Sequence, residues 1–208
     1  MKEATPRRRP AFRRVLPLAY EAAALAYART RVELWAMDEH RIGLKPILRK
    51  VWSKRGKRPV AVIRPRYKWL WVVAFVCPES GKTIWWLVPA LNAPTFARLL
   101  AGFAEECGAG EDFRILLVLD NAGWHTGREA IVPTGIEMVP LPPYSPELQP
   151  AEHLWALCDA VLVNQCFDSL AVLEAVLAAH LVHLCGRREQ IRSLTCFHWW
   201  PTAPPTPI

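Results

Sequence analysis

Two strand-sized apolar runs that each end in an aspartate constrain this chain more than any other feature. Val32-Glu33-Leu34-Trp35-Ala36-Met37 leads into Asp38, and Ile115 to Leu119 leads into Asp120. Short apolar runs rich in Val, Ile and Leu read as buried strands. Asp38 and Asp120 can come together only if these strands are neighbours that deliver both carboxylates at the same end. Parallel strands joined through an intervening helix meet that condition.

The segments between the runs supply the rest of a sheet. Trp69 to Cys77 and Thr83 to Val88 flank Pro78-Glu79-Ser80-Gly81-Lys82, a loop of hairpin type. Ile47 to Trp52 and Val60 to Ile63 also read as extended, separated by the turn signal Lys54-Arg55-Gly56-Lys57. Pro94 to Glu106 has helical periodicity, with Phe96, Leu99, Leu100 and Phe103 on one face. Ile136 to Val139 is a further short strand, halted by Pro140. Pro17 to Arg31 is expected to be helical. A helix is also expected from Pro150, which suits a first turn, through Glu152 to about Val163. Another spans Leu170 to Leu184, capped by Ser169. The order describes an α/β chain with a mixed five-stranded sheet and helices on both faces, the pattern of an RNase H-like fold. Residues 1–14, dominated by Pro and Arg, are expected to form a disordered basic arm before a domain over 15–200, and 201–208 a Pro-rich tail.

With 208 residues, 52% of them hydrophobic, the chain can bury one sizeable core. Its formal charge of +7 favours a polyanionic partner. The excess is concentrated: Lys45, Arg49, Lys50, Lys54, Arg55, Lys57, Arg58, Arg64, Arg66 and Lys68 follow one another with no acidic residue between them. A solvated face is the plain reading of such a run, but its position directly after Asp38 favours phosphate binding. The six cysteines form no CxxC pair and no secretory leader is evident, so reduced thiols in the cytoplasm are expected. No apolar stretch is long enough to span a bilayer.

The third acid is Glu152, in Leu141-Pro142-Pro143-Tyr144-Ser145-Pro146-Glu147-Leu148-Gln149-Pro150-Ala151-Glu152-His153-Leu154-Trp155. Taken singly, each acid has an ordinary explanation: a turn former at a strand end, or a partner for a helix dipole. Taken together, three carboxylates at three edges of one sheet would repel one another unless divalent cations lay between them. Oxygen donors favour magnesium or manganese, and two ions roughly 4 Å apart serve phosphodiester cleavage and joining. Glu39 and Asp159 are competing acids, although strand alternation sends Glu39 to the face opposite Asp38.

The run from Ile115 to Asn121 with Trp124-His125, and the Pro-Tyr-Ser-Pro block ending at Glu152-His153-Leu154-Trp155, resemble the DDE transposases of the Tc/mariner superfamily, most closely their bacterial insertion-sequence branch. Trp35 to Gly43, Trp52 to Gly56, Phe167 to Leu170 and His198-Trp199-Trp200 are similar too, so the resemblance covers about residues 31–200. It implies that Asp38, Asp120 and Glu152 are the metal ligands of an enzyme that cuts transposon ends and joins the 3′-hydroxyls to target DNA, commonly at TA. It also implies a homodimer working on double-stranded DNA, associated with a bacterial nucleoid, with His125 near the scissile phosphate. A hydrogen-bonded structural His125 is the alternative.

Three departures stand out. About thirty residues precede the first strand, too few for the helix-turn-helix region of such enzymes, so a catalytic half is expected, with a separately encoded helix-turn-helix chain as a candidate partner. Gln149 stands where Asn is common, and Leu157-Cys158-Asp159 follow Trp155 where basic residues are frequent. An inactive DNA-binding remnant and a nuclease acting on RNA–DNA hybrids remain as alternatives. His180, His183 and Cys185 suggest zinc but have no fourth ligand at suitable spacing, and His153 reads as structural.

Overall fold

The computed structural model describes residues 8–27, 30–57, 60, 66–126 and 131–202. Its centre is β1 (Arg31–Gly43), the longest strand, which has different neighbours along its length. The first half pairs in parallel with β4 (Phe113–Leu119), from Arg31 opposite Phe113 to Ala36 opposite Val118. The second half pairs antiparallel with β2 (Trp69–Cys77), from Ala36 opposite Val76 to Gly43 opposite Trp69. β3 (Lys82–Val88) completes the hairpin with β2, and β5 (Ile136–Pro140) lies parallel to β4. The sheet is therefore five-stranded and mixed, in the order β3-β2-β1-β4-β5, as expected of an RNase H-like fold.

Alternation along the strands divides the interior into two layers. Leu34 and Ala36 of β1, Val72 and Ala74 of β2, and Leu116 and Val118 of β4 face one side. There they meet α1 (Arg8–Ala26) through Leu16 and Tyr20, and α5 (Leu170–Cys185) through Leu173, Leu177, Leu181 and Leu184. Trp35, Met37, Val73, Phe75, Ile115 and Leu117 face the other side, where α2 (Ala93–Cys107) lays down Phe96, Leu99, Leu100 and Phe103. α2 begins where the Asn92 side chain accepts from the Thr95 N–H at 2.9 Å, with Pro94 in its first turn. It ends at Gly108, whose φ of 74° is the left-handed C-terminal stop that glycine adopts without strain. The Ser169 cap of α5 is present as well, accepting from the Val172 N–H at 3.3 Å.

Several boundaries differ from the sequence expectation, for identifiable reasons. β1 does not stop at Asp38 but continues to Gly43, because β2 supplies a partner for residues whose composition is polar. α1 starts at Arg8 rather than Pro17, so residues 8–14, expected to be disordered, are helical. Phe12 packs against the core and the Arg13 guanidinium lies 5.4 Å from the Trp199 ring centroid. The expected strand at Ile47 to Trp52 is reduced to a single bridge between Ile47 and Val163, after which the chain has no regular structure. Val60 has none either, while residues 61–63, Arg58, residues 1–7 and residues 203–208 lie outside the described residues. The expected helix from Pro150 to Val163 is instead a 3-10 turn, Pro150–Leu154, followed by a short α4 (Trp155–Asp159). A short α3 (Gly123–Thr126) follows β4, and α6 (Arg188–Thr195) closes the chain behind α5. No single helix among the described residues is long and apolar enough to cross a membrane.

Phe103 joins α2 to the sheet: it stacks on Phe75 at 4.2 Å and meets Trp35 edge-on at 5.1 Å. Truncation there leaves a cavity that backbone packed on both sides cannot close. Phe103→Ala is expected to cost about 3–5 kcal/mol in urea unfolding.

Candidate metal and active site

The parallel register sets the positions of the first two acids. Ala36 lies opposite Val118, so two residues further along each chain bring Asp38 and Asp120 level at the same edge. Asp38 is in mid-strand, where β4 has ended and only β2 still pairs with β1. Beyond β5 the chain folds back over this edge. The Leu141 N–H bonds to the Leu119 carbonyl at 2.8 Å, and the Asn121 amide donates to the Leu141 carbonyl. The loop then runs through Pro142, Pro143 and Tyr144 to the turn that carries Glu152.

Asp38, Asp120 and Glu152 thus line one cleft of about 420 Å³, together with Asn121, Leu141 to Pro146 and Gln149. Asp159, one of the two competing acids, is engaged elsewhere. It bonds to His40 at 3.0 Å and lies 3.6 Å from Arg49. Glu39 points to the opposite face, as alternation requires, and accepts from the Trp124 indole N–H at 3.0 Å.

Each carboxylate has a different environment. Burial pushes Asp38 up to about 8; the Trp155 N–H works against this, while the negative charges of Glu39 and Glu152 add to it. Asp120 is more open, with its side chain 54% exposed. Its carboxylate accepts from the Ala122 N–H at 2.9 Å, and its pKa is lowered chiefly by a hydrogen bond from His125, against the effect of partial burial. Oxygen donors facing one cleft, one of them pushed toward its neutral form chiefly by burial, suit a hard divalent cation. The donor chemistry therefore fits magnesium or manganese.

Of the two readings of His125, its surroundings match the hydrogen-bonded structural one: it sits behind Asp120, only 3% exposed and outside the cleft lining. Nε2 lies 2.8 Å from Glu39 Oε1, and Nδ1 lies 3.0 Å from Asp120 Oδ1. With both ring nitrogens engaged, contact with DNA would require it to leave both partners. Burial pulls its pKa down, but the hydrogen bonds to Asp120 and Glu39 outweigh this and raise it to about 9. At neutral pH it is an imidazolium between two carboxylates. Glu39, Asp120 and His125 are also close enough, within 4.8 Å, to be read as a metal cluster, but the hydrogen-bonded cation already fills that role.

The basic run is exposed where it is described: Lys45, Arg49, Lys50, Lys54, Arg55 and Lys57 all face solvent, and so does Trp52. Lys45 also lines a second cleft with Arg41, Arg66 and Lys68, beginning at His40, two residues beyond Asp38 on the same face of β1. The suggested zinc group does not form. His180 bonds to the Leu157 carbonyl at 2.9 Å, and His183 lies 2.9 Å from the Arg187 guanidinium. His153 packs edge-on against Phe197, a structural role as expected.

Sequence reasoning missed Gln149 and Trp155, which bind β1 beside Asp38: Gln149 Nε2 donates to the Met37 carbonyl and Trp155 Nε1 to Asp38 Oδ2, both at 2.8 Å. Only their spacing, three residues either side of Glu152, could have signalled it.

Because the His125 pKa is raised on folding, its stabilisation is complete below its ordinary value of 6.5 and disappears as pH rises through about 9. In metal-free protein the melting-temperature gap between wild type and His125→Gln is therefore expected to be widest at or below pH 6.5. It should narrow steadily through pH 9 in a thermal-melt series.

Comparison with known proteins agrees with this architecture. A profile of the DDE superfamily endonucleases matches residues 33–174. A curated protein of Sinorhizobium fredii (strain NBRC 101917 / NGR234), the uncharacterized protein y4pE/y4sA, is 34% identical over 100 residues, 48% of this chain and 73% of its own. Among solved structures, the Mos1 transposase in its paired-end complex with the left transposon end superposes with a TM-score of 0.59 at 19% identity, over 92% of this chain and 63% of that one. The catalytic domain of Mos1 mariner transposase does so with a TM-score of 0.54 at 17% identity, over 92% and 95%. At these identities the structural likeness establishes the fold, and this chain spans 63% of the longer Mos1 chain. The profile covers more than half of the sequence, acids and sheet included, and the protein belongs to the DDE superfamily of endonucleases.

Proposed function

We propose that this chain is the catalytic domain of a DNA transposase that cleaves transposon ends and transfers the 3′-hydroxyls to target DNA. The observation that carries the reading is the shared cleft of Asp38, Asp120 and Glu152 at one edge of the sheet, in a chain of the DDE endonuclease superfamily. In this reading the three carboxylates hold two divalent ions, magnesium or manganese. Bound there, the ions supply activation of water or a 3′-hydroxyl and neutralise charge on the phosphate.

The chain's own residues do the rest. His125 keeps the Asp120 carboxylate oriented from behind, with Glu39 holding the far ring nitrogen. The loop Leu141 to Pro146 lines the cleft beside the three acids. The exposed cations Lys45, Arg49, Lys50, Lys54, Arg55 and Lys57 grip phosphates of double-stranded DNA, with Arg58 in the same run. Sequence-specific recognition of transposon ends falls to another region or a separately encoded helix-turn-helix chain, and a homodimer brings two ends together. The Mos1 complex with a transposon end supports DNA as the substrate class.

Relaxation of supercoiled plasmid in magnesium tests the reading. Wild type is expected to nick and join, and Asp120→Ala or Glu152→Gln to lose about a thousandfold in rate, the several kcal/mol that metal assistance supplies. A wild type that binds DNA without any metal-dependent cleavage would support an inactive remnant instead.

The protonation of Asp38 gives a second test. With its pKa raised from 3.8 to about 8, the metal-free group carries a proton at pH 7 that a cation must displace. Apparent manganese affinity is expected to rise about tenfold per pH unit up to the raised pKa and then level off. Calorimetry in two buffers of different ionisation enthalpy should show close to one proton released at neutral pH.

A further inference from the structure

Two residues that are not acids join the Glu152 turn to the strand carrying Asp38. Gln149 opens the 3-10 turn and is 2% exposed. Its Nε2 donates to the Met37 carbonyl at 2.8 Å, while its Oε1 accepts from the Ala151 N–H at 3.5 Å. Trp155 begins α4 and is 9% exposed. Its Nε1 donates to Asp38 Oδ2 at 2.8 Å. The indole ring is held on two sides, stacked on His40 at 5.0 Å and edge-on to Trp85 at 6.3 Å. His40 is two residues beyond Asp38 on the same face, so the stack and the hydrogen bond grip one short stretch of β1.

We propose that Trp155 and Gln149 are positioning residues that lock the Asp38 carboxylate and the Glu152 turn into one rigid unit, preorganising two metal ligands before an ion arrives. The inference rests on the reading that Asp38 and Glu152 hold the metal.

The choice of donors follows from charge. An aspartate carboxylate turns about two side-chain torsions, and each rotation misdirects its lone pairs. A hydrogen bond to one oxygen from a ring that cannot move fixes the carboxylate plane. A lysine or arginine in that place would fix it too, but its positive charge would compete with the cation. The neutral indole N–H orients without competing. Gln149 acts on the backbone one residue earlier, so that the Glu152 turn cannot slide along β1 without breaking a buried hydrogen bond.

Manganese alone, titrated into the full chain without DNA and followed by calorimetry and electron paramagnetic resonance, tests this. Trp155→Phe keeps a ring against His40 and removes only the donor. Its manganese affinity is expected to fall roughly 10–100-fold, while the metal-free melting temperature changes little. In an Asp38→Asn background the same substitution should cause no further loss, since the group it orients has gone. Wild-type affinity in Trp155→Phe would overturn the proposal. If phenylalanine unseats α4, Gln149→Leu carries the test, with weakened manganese binding expected and unchanged binding overturning it. A wild type that binds no manganese would overturn the proposal together with the metal reading beneath it. Binding by wild type that Trp155→Phe leaves intact would remove the proposal alone.

Discussion

The parallel pairing of β1 with β4 is the constraint on which the site depends. Each residue of register moves a side chain about 3.3 Å and turns it to the other face. Ala36 opposite Val118 makes Asp38 and Asp120 level; a slip of one would send one of them away from the cleft. The register is held by burial on both faces. Leu34, Ala36, Leu116 and Val118 pack under α1 and α5, while Trp35, Ile115 and Leu117 pack under α2. Two acidic positions are thus fixed by hydrophobic matching of the residues before them.

Charge in the site is balanced unevenly. Asp120 is paired with the His125 imidazolium and stays ionised, whereas Asp38 is buried beside two other acids with neutral donors, the Trp155 indole and the Glu39 backbone N–H. Raising an acid's pKa on folding costs stability that grows as pH rises from 3.8 toward about 8. In the proposed function, a divalent cation held by Asp38 offsets that cost. The same group that destabilises the free protein thereby favours the bound one.

Much of the sheet was legible because its strands are buried on both faces and their apolar runs are continuous. Trp69–Cys77 was legible to the residue, and α2 and α5 within one residue at each end, since the apolar periodicity of α2 and the Ser169 cap of α5 are local. The polar half of β1 was not, because Glu39, His40 and Arg41 are strand residues only through pairing with β2. The start of α1 was missed for a similar reason. Pro10 and Pro17 argue locally against a long helix, and the packing of Phe12 and Leu16 against the core overrides them.

By itself, then, the sequence determined the apolar strands, the Ser169 cap, the hairpin and where Asp38, Asp120 and Glu152 fall in the chain, since each of these is written in neighbouring residues. Tertiary structure decided what those carboxylates experience. That Glu39 meets Trp124 and His125, that Asp159 is diverted to His40, and that Gln149 and Trp155 hold β1 are contacts across 85 to 119 residues of chain. No local pattern encodes such distances. They arise when the two layers of the core close on the sheet and leave each polar group the partners within its reach.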